Sequence, residues 1–167
     1  MGEKTRQNLY TAFVGEAKAY FRLLAYAEKA EEEGYPQVAA LFRAVAEAER
    51  VHATRNLKLL GEVIVKDTET NLKASFEREE KASEVFYPQF IKEAEEEGER
   101  QAAVSFSHAR DVEEEHASLY KRALQHLVAD TVPRYYVCQV CGYIAEGEPP
   151  DRCPVCNAPR DKFKEIL

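Results

Sequence analysis

Glu49-x-x-His52 and Glu113-x-x-His116 share one spacing in this 167-residue sequence. Residues three apart on a helix lie on one face, about a turn apart. Each pair would therefore offer a carboxylate and an imidazole side by side. Lone glutamates at Glu16 and Glu79 add two more oxygen donors. Farther along, Cys138-x-x-Cys141 and Cys153-x-x-Cys156 are separated by eleven residues, a spacing that makes a strong four-thiolate metal signal. Two ligand sets of different softness are present, one of oxygen and nitrogen and one of sulfur.

The first set needs helices to converge. Residues 1–130 read as four helices of roughly 25 to 30 residues, about 40 Å long at the helical rise. The breaks fall at Gly34-Tyr35-Pro36, around Gly61 to Asp67, and at Gly98, where glycine and proline stop a helix. Tyr87-Pro88 should kink the third helix without ending it, because the apolar period resumes at Phe90. The inner stripes at three-and-four spacing are Leu9, Phe13, Glu16, Tyr20, Leu23 and Ala27; then Val38, Phe42, Val45, Glu49, His52, Asn56, Leu59 and Val63. On the third and fourth helices they are Leu72, Phe76, Glu79, Ser83, Phe86 and Phe90; and Ala102, Phe106, Ala109, Glu113, His116, Tyr120, Ala123 and Leu127. Four glutamates and two histidines thus interrupt apolar stripes at similar heights. Each uncompensated buried ion costs several kcal/mol, and no Lys or Arg falls on these stripes. Protons or cations must neutralise the carboxylates; a metal is the simplest compensation, and this donor set suits two iron or manganese ions held inside a four-helix bundle.

An internal repeat supports the pairing. Glu-Glu-Glu-Gly at Glu31–Gly34 recurs at Glu95–Gly98, and the same offset of 64 carries Phe42 onto Phe106, Glu49 onto Glu113 and His52 onto His116. Two related helix pairs with pseudo-twofold symmetry are expected. The offset sets Glu80 opposite Glu16, but the stripe favours Glu79, since Glu80 is turned by about 100° toward the helix edge.

Residues 131–167 hold five of the seven prolines and all four cysteines. So short a segment cannot be held by apolar burial alone, and a tetrahedral tetrathiolate metal would supply most of its stability. Iron would make this a one-electron carrier and zinc a structural ribbon; both accept four thiolates. Unpaired cysteines at this spacing suit a reducing compartment, and the start of the chain has no apolar signal core, so a cytoplasmic location is expected. The net charge of −7 predicts no general attraction to nucleic acid or anionic lipid, and no apolar run reaches the roughly 20 residues of a membrane span.

The whole chain resembles the rubrerythrin family on Gly15-Glu16, Glu49-x-x-His52-Ala53, Asn71-Leu72, Tyr87-Pro88, Glu113-x-x-His116, Cys138-x-x-Cys141-Gly142-Tyr143 and Cys153-Pro154-x-Cys156. The resemblance implies an all-α ferritin-like bundle over 1–130 followed by a small rubredoxin-like β/loop domain over 131–167. It implies Glu16, Glu49, Glu79, Glu113 and His116 as di-iron ligands, His52 as a ligand of the first iron at least when reduced, Tyr87 as a phenol just outside the ligands, and one iron on the four cysteines, with zinc possible in recombinant protein. The implied activity is a peroxidase that reduces hydrogen peroxide to water, with electrons passed from NAD(P)H by a separate reductase, or from rubredoxin, into the iron held by the four cysteines. A tail attached at one end of a 40 Å bundle would lie far from a mid-length site, and a head-to-tail homodimer is the arrangement the family suggests. One departure is visible: the family typically carries a further glutamate one turn after the helix-3 ligand, where this chain has Ala82. The remaining six ligands match a simpler ferritin-like set, so Fe(II) oxidation and iron handling is the rival reading. A non-catalytic protein with structural zinc is another.

Overall fold

The computed structural model describes residues 1–125 and 133–166. The expected domain boundary near 130 and the stripe residue Leu127 lie outside the described residues. The chain forms two compact units, Met1–Lys66 and Asp67–Leu167.

In the first unit, α1 (Glu3–Glu32) and α2 (Pro36–Leu60) form a helical hairpin closed by three residues. Gly34 takes φ +80°, Tyr35 N–H donates to Ala30 O at 2.8 Å and Gly34 N–H to Glu31 O at 3.0 Å. These bonds satisfy the last carbonyls of α1 through a left-handed cap that glycine adopts at little cost. Pro36 then opens α2 at a position where its missing N–H leaves nothing unpaired. The seam between the helices is alanine: Ala27, Ala30, Ala39, Ala46 and Ala53 are buried, with Leu60 continuing the seven-residue spacing of α2. Small side chains at that spacing let the two backbones approach closely.

The second unit repeats the device. Helix α3 (Thr68–Lys81) starts on Asp67, whose carboxylate accepts the Thr70 N–H at 2.9 Å. It runs through a π-helical turn at Ala82–Phe86 into α4 (Tyr87–Glu96). Gly98 (φ +77°) stops α4 as Gly34 stops α1, with Glu99 N–H on Ala94 O at 2.8 Å, and α5 (Arg100–Gln125) returns. Buried Ala94 and Ala117 stand 64 positions after buried Ala30 and Ala53, so the sequence repeat is a repeat of packing. Three strands complete the unit: β1 (Tyr135–Cys138), β2 (Ile144–Glu146) and β3 (Phe163–Ile166), antiparallel in the order β2-β1-β3. Four helical runs followed by a small strand-and-loop domain match the expected class.

Two details depart from the stripes. The kink expected at Tyr87-Pro88 is spread over the preceding turn. Pro88 has no N–H for the Glu84 carbonyl and its ring would strike it, so the chain widens and Tyr87 N–H reaches back five residues to Ala82 O. A residue added to one turn rotates the following face. Phe86 is consequently exposed, with Lys81 Nζ 5.2 Å from its ring centre, whereas Tyr87 packs against Phe106 at 6.3 Å between ring centres. The stripe of α2 also carries Val38, Val45 and Leu59, all exposed; Val63 lies beyond α2 in a short 3-10 turn, Gly61–Val63. The hairpin seam uses the alanines one position later, because a bundle helix packs through more than one face.

Candidate metal centres

In the first unit Glu16 comes from the middle of α1, and Glu49 and His52 from the middle of α2. Glu16, Glu49 and His52 each offer a donor atom, and these atoms all lie within 4.8 Å of one another. His52 Nδ1 is 3.1 Å from Glu49 Oε2. Glu16 and Glu49 share a hydrogen bond, which, with burial and the neighbouring charge, pushes the Glu16 carboxyl up while Glu49 is held low by that bond and by His52. Two carboxylates this close must share a proton or a cation. The Glu-Glu-His grouping fits one metal of the borderline-hard type, with room for further oxygen donors.

The second unit holds the related set. Glu113 Oε2 lies 3.0 Å from His116 Nδ1 and hydrogen-bonds Glu79. Burial, then Glu113, push the Glu79 carboxyl up. Tyr87 is beside this group: burial and the charges of Glu113 and Glu79 raise its phenol above the ordinary range, so Tyr87 keeps its proton at neutral pH. Glu80, the alternative to Glu79, is exposed, and Ala82, half-buried at the start of the π turn, brings no donor.

The four cysteines converge. Cys138 Sγ is 3.7 Å from Cys156 Sγ, and Cys141 Sγ is 3.5 Å from Cys153 Sγ. Disulfide sulfurs would be about 2.05 Å apart, whereas tetrahedral ligation at about 2.3 Å per thiolate separates sulfurs by about 3.8 Å. The donor set therefore fits a tetrahedral metal. Each knuckle turns on a left-handed residue: Gly142 (φ +87°) donates its N–H to Cys138 O at 2.9 Å, and Asn157 (φ +61°) donates to Cys153 O at 2.9 Å. Among the described residues the surrounding core is small, with Ala158, Tyr143, Val155 and Phe163 packed on the cysteines.

An unexpected contact joins the two parts of the second unit. His116 Nε2 lies 3.2 Å from the Gly142 carbonyl oxygen, next in sequence to Cys141. A Cβ placed on Gly142 would sit 3.8 Å from Val112 Cγ1, and Arg122 reaches Glu146 of β2 at 3.5 Å. An apolar cleft lined by Leu72, Leu119, Tyr135 and Ile144 runs beside the ring. The tail thus reaches mid-length His116 of its own chain, where the sequence reading set it far away. With Nε2–H donated to the carbonyl, Nδ1 keeps its lone pair toward Glu113, the arrangement a metal-ligating histidine commonly has. The sequence signal for this contact was the glycine after the second cysteine, but nothing in the chain's local pattern names its partner. Gly142→Ala should cost about 1–3 kcal/mol, the strain of a left-handed non-glycine residue. Thermal melting followed at the tail metal's absorbance would show the loss; an unchanged midpoint would contradict it.

The comparisons with known proteins agree with this layout. The family model for rubrerythrin matches residues 7–124, and that for the rubrerythrin rubredoxin-like domain matches residues 136–164. Nigerythrin of Nitratidesulfovibrio vulgaris is 34% identical over 95% of this chain and 85% of its own length. Rubrerythrin-1 of Clostridium acetobutylicum is 36% identical over 99% of this chain and 95% of its own. The latter alignment spans 187 positions against 167 residues here, so that relative carries at least twenty residues this chain lacks. A solved structure of nigerythrin in a partially reduced state matches with a TM-score of 0.59 at 33% identity, covering 99% of this chain and 88% of that one.

Proposed function

Because this chain belongs to the rubrerythrin family of di-iron oxidoreductases with a rubredoxin-like site, we propose that it is a peroxidase. It reduces hydrogen peroxide to two waters with two electrons and two protons. The electrons enter at the Cys138, Cys141, Cys153 and Cys156 site from a reductase fed by NAD(P)H or from rubredoxin. Bound iron supplies one-electron transfer at the cysteines and paired two-electron reduction at the carboxylates. Glu16, Glu49 and His52 form one ligand set and Glu79, Glu113 and His116 the other. The observation that carries this reading is the position of His116, with Nδ1 3.0 Å from Glu113 Oε2 and Nε2 3.2 Å from the Gly142 carbonyl oxygen, which sets the sulfur ligands and the oxygen ligands on either side of one imidazole. Tyr87 holds its proton at Oη beside Glu79 and Glu113, where it can hydrogen-bond oxygen that arrives there. Leu72, Leu119 and Ile144 give the cleft beside the ring its apolar lining.

Ala82 favours a second reading, Fe(II) oxidation by dioxygen, because no fifth carboxylate stands one turn after Glu79. The two readings separate in one assay. Iron-loaded, reduced protein should be oxidised by peroxide at least about ten-fold faster than by dioxygen, followed by stopped-flow absorbance, and Ala82→Glu should widen the gap, since an added carboxylate stabilises the more positive oxidised pair. A wild type that reacts faster with dioxygen would overturn the peroxidase reading.

A further inference from the structure

We propose that Arg122 is a positioning residue that sets where the cysteine site stands against His116. The proposal rests on the reading above that electrons enter at the cysteines, and it concerns only what fixes the tail within the second unit. Each peroxide takes up two electrons and two protons to give two waters. A single iron on four thiolates passes on one electron at a time, so every turnover needs two transfers across the same contact. Electron transfer weakens steeply with distance, and that contact must be held at one spacing.

His116 fixes one point of the tail, with Nε2 3.2 Å from the Gly142 carbonyl oxygen. Around a single contact of this kind a small domain can still swing. Glu146 supplies a second point. From Gly142 the chain passes Ile144, which lines a cleft with Leu119 and Ala123 of α5, and reaches Glu146 of β2, whose Oε2 lies 3.5 Å from Arg122 Nη2. Four extended residues span about 13 Å and the six helical steps from His116 to Arg122 rise about 9 Å, so the two anchors stand about 10 Å apart. Anchors so separated fix an angle as well as a position.

Arg122 is held ready on its own helix. Its Nη1 donates to Ser118 Oγ at 2.9 Å, and its Nη2 lies 3.6 Å from Glu115 Oε1. Glu115, Ser118 and Arg122 share one face of α5 by their three-and-four spacing. One guanidinium nitrogen thus stands between two carboxylates, Glu115 on the helix and Glu146 on the tail. Without it they would meet as like charges. Burial raises the Tyr143 phenol, Glu115 adds to the rise and Arg122 opposes it, so the tyrosine packed on the cysteines is within reach of both charges. The Arg122 and Glu146 side chains are 44% and 43% exposed. A pair that open adds little to stability; what it supplies is register, by favouring one docked arrangement over others.

Charge exchange on the full chain tests this, with Arg122→Glu compared with the double variant Arg122→Glu/Glu146→Arg. The first readout needs no turnover. In nitrogen-15 histidine NMR of the zinc-loaded chain, the His116 Nε2–H held by the Gly142 carbonyl should give a slowly exchanging signal, identified by its absence in His116→Gln. Arg122→Glu should speed its exchange with water at least about ten-fold, since like charges set opposite one another are strongly unfavourable at a contact. The double variant should return to within about three-fold of wild type, because the pair is remade with its ends exchanged. The second readout is reoxidation of the cysteine iron when reduced, iron-loaded protein meets peroxide. It should slow at least about ten-fold in Arg122→Glu and recover in the double variant, with metal content and circular dichroism unchanged. A histidine signal that Arg122→Glu leaves unaltered, a loss that the double variant does not repair, or an altered signal with an unaltered reoxidation rate overturns the positioning role. Peroxide that fails to oxidise the wild-type bundle iron overturns the proposed function instead, and the histidine signal then decides the role of Arg122 by itself.

Discussion

Glu113→Ala is expected to empty the bundle of iron while leaving its helices and its tail metal in place. Glu113 is the hub of the second candidate ligand set, hydrogen-bonded to Glu79 and 3.0 Å from His116 Nδ1. Its removal deletes an oxygen donor and frees the imidazole it steadies. Loss of a residue that merely orients a ligand already costs about 10–100-fold in metal affinity or activity, so loss of a ligand should exceed about 100-fold in peroxide turnover. The helices should survive because Glu113 is only part-buried. The remaining carboxyls can also take up protons: Glu79 already has its carboxyl pushed up by burial and by Glu113. Metal analysis should fall from three ions per chain to one, with unchanged far-ultraviolet circular dichroism and unchanged tetrathiolate absorbance. Retention of two bundle irons, or collapse of the helical signal, would contradict the assignment.

Cys138→Ser is expected to do the opposite. It should release the tail metal and unfold residues 133–166 while the bundle iron stays. Cys138 is 1% exposed, the most completely buried of the larger side chains, at the centre of a cluster whose other buried members are Cys153 and Ala158. No large aliphatic side chain among the described residues is fully buried there. Stability must come from the metal, which in comparable small zinc domains contributes about 10–16 kcal/mol of apparent binding energy at neutral pH. A serine hydroxyl is a poor ligand for a metal that prefers thiolate. With the knuckle gone, the Gly142 N–H loses its position on the Cys138 carbonyl, and the Gly142 carbonyl loses its hold on His116. Turnover driven by a reductase should drop by more than about 100-fold, as expected when a ligand itself is lost. The signature is loss of one metal per chain together with rapid proteolysis confined to the tail. A tail that keeps its metal and its protease resistance would sink the prediction, and loss of the bundle iron in the same variant would show that the two sites are not independent.

Much of the candidate chemistry was legible in the chain because it is written locally. Glu49 and His52, or Cys138 and Cys141, are brought together by one turn of backbone, so spacing alone places their donors side by side. The helix stops at Gly34 and Gly98 are equally local, since a left-handed cap depends on the residue that occupies it. The offset of 64 carried this information twice, and both hairpins use it.

Other features had no local spelling. Whether Phe86 or Tyr87 turns inward depends on how the helix absorbs Pro88, and the π turn at Ala82–Phe86 answers differently from a uniform three-and-four stripe. The alanine seam of α2 was hidden because periodicity ranks large apolar residues above small ones, although close helix approach needs the small ones. The bond from His116 to the Gly142 carbonyl joins residues 26 apart and follows from the docking of the tail on α5. Donor pairing and helix ends could be read from the order of residues, since both are settled within a few positions of the chain. Which faces meet, and which histidine touches the cysteine knuckle, emerged only on folding, because those choices depend on packing between segments that share no local backbone geometry.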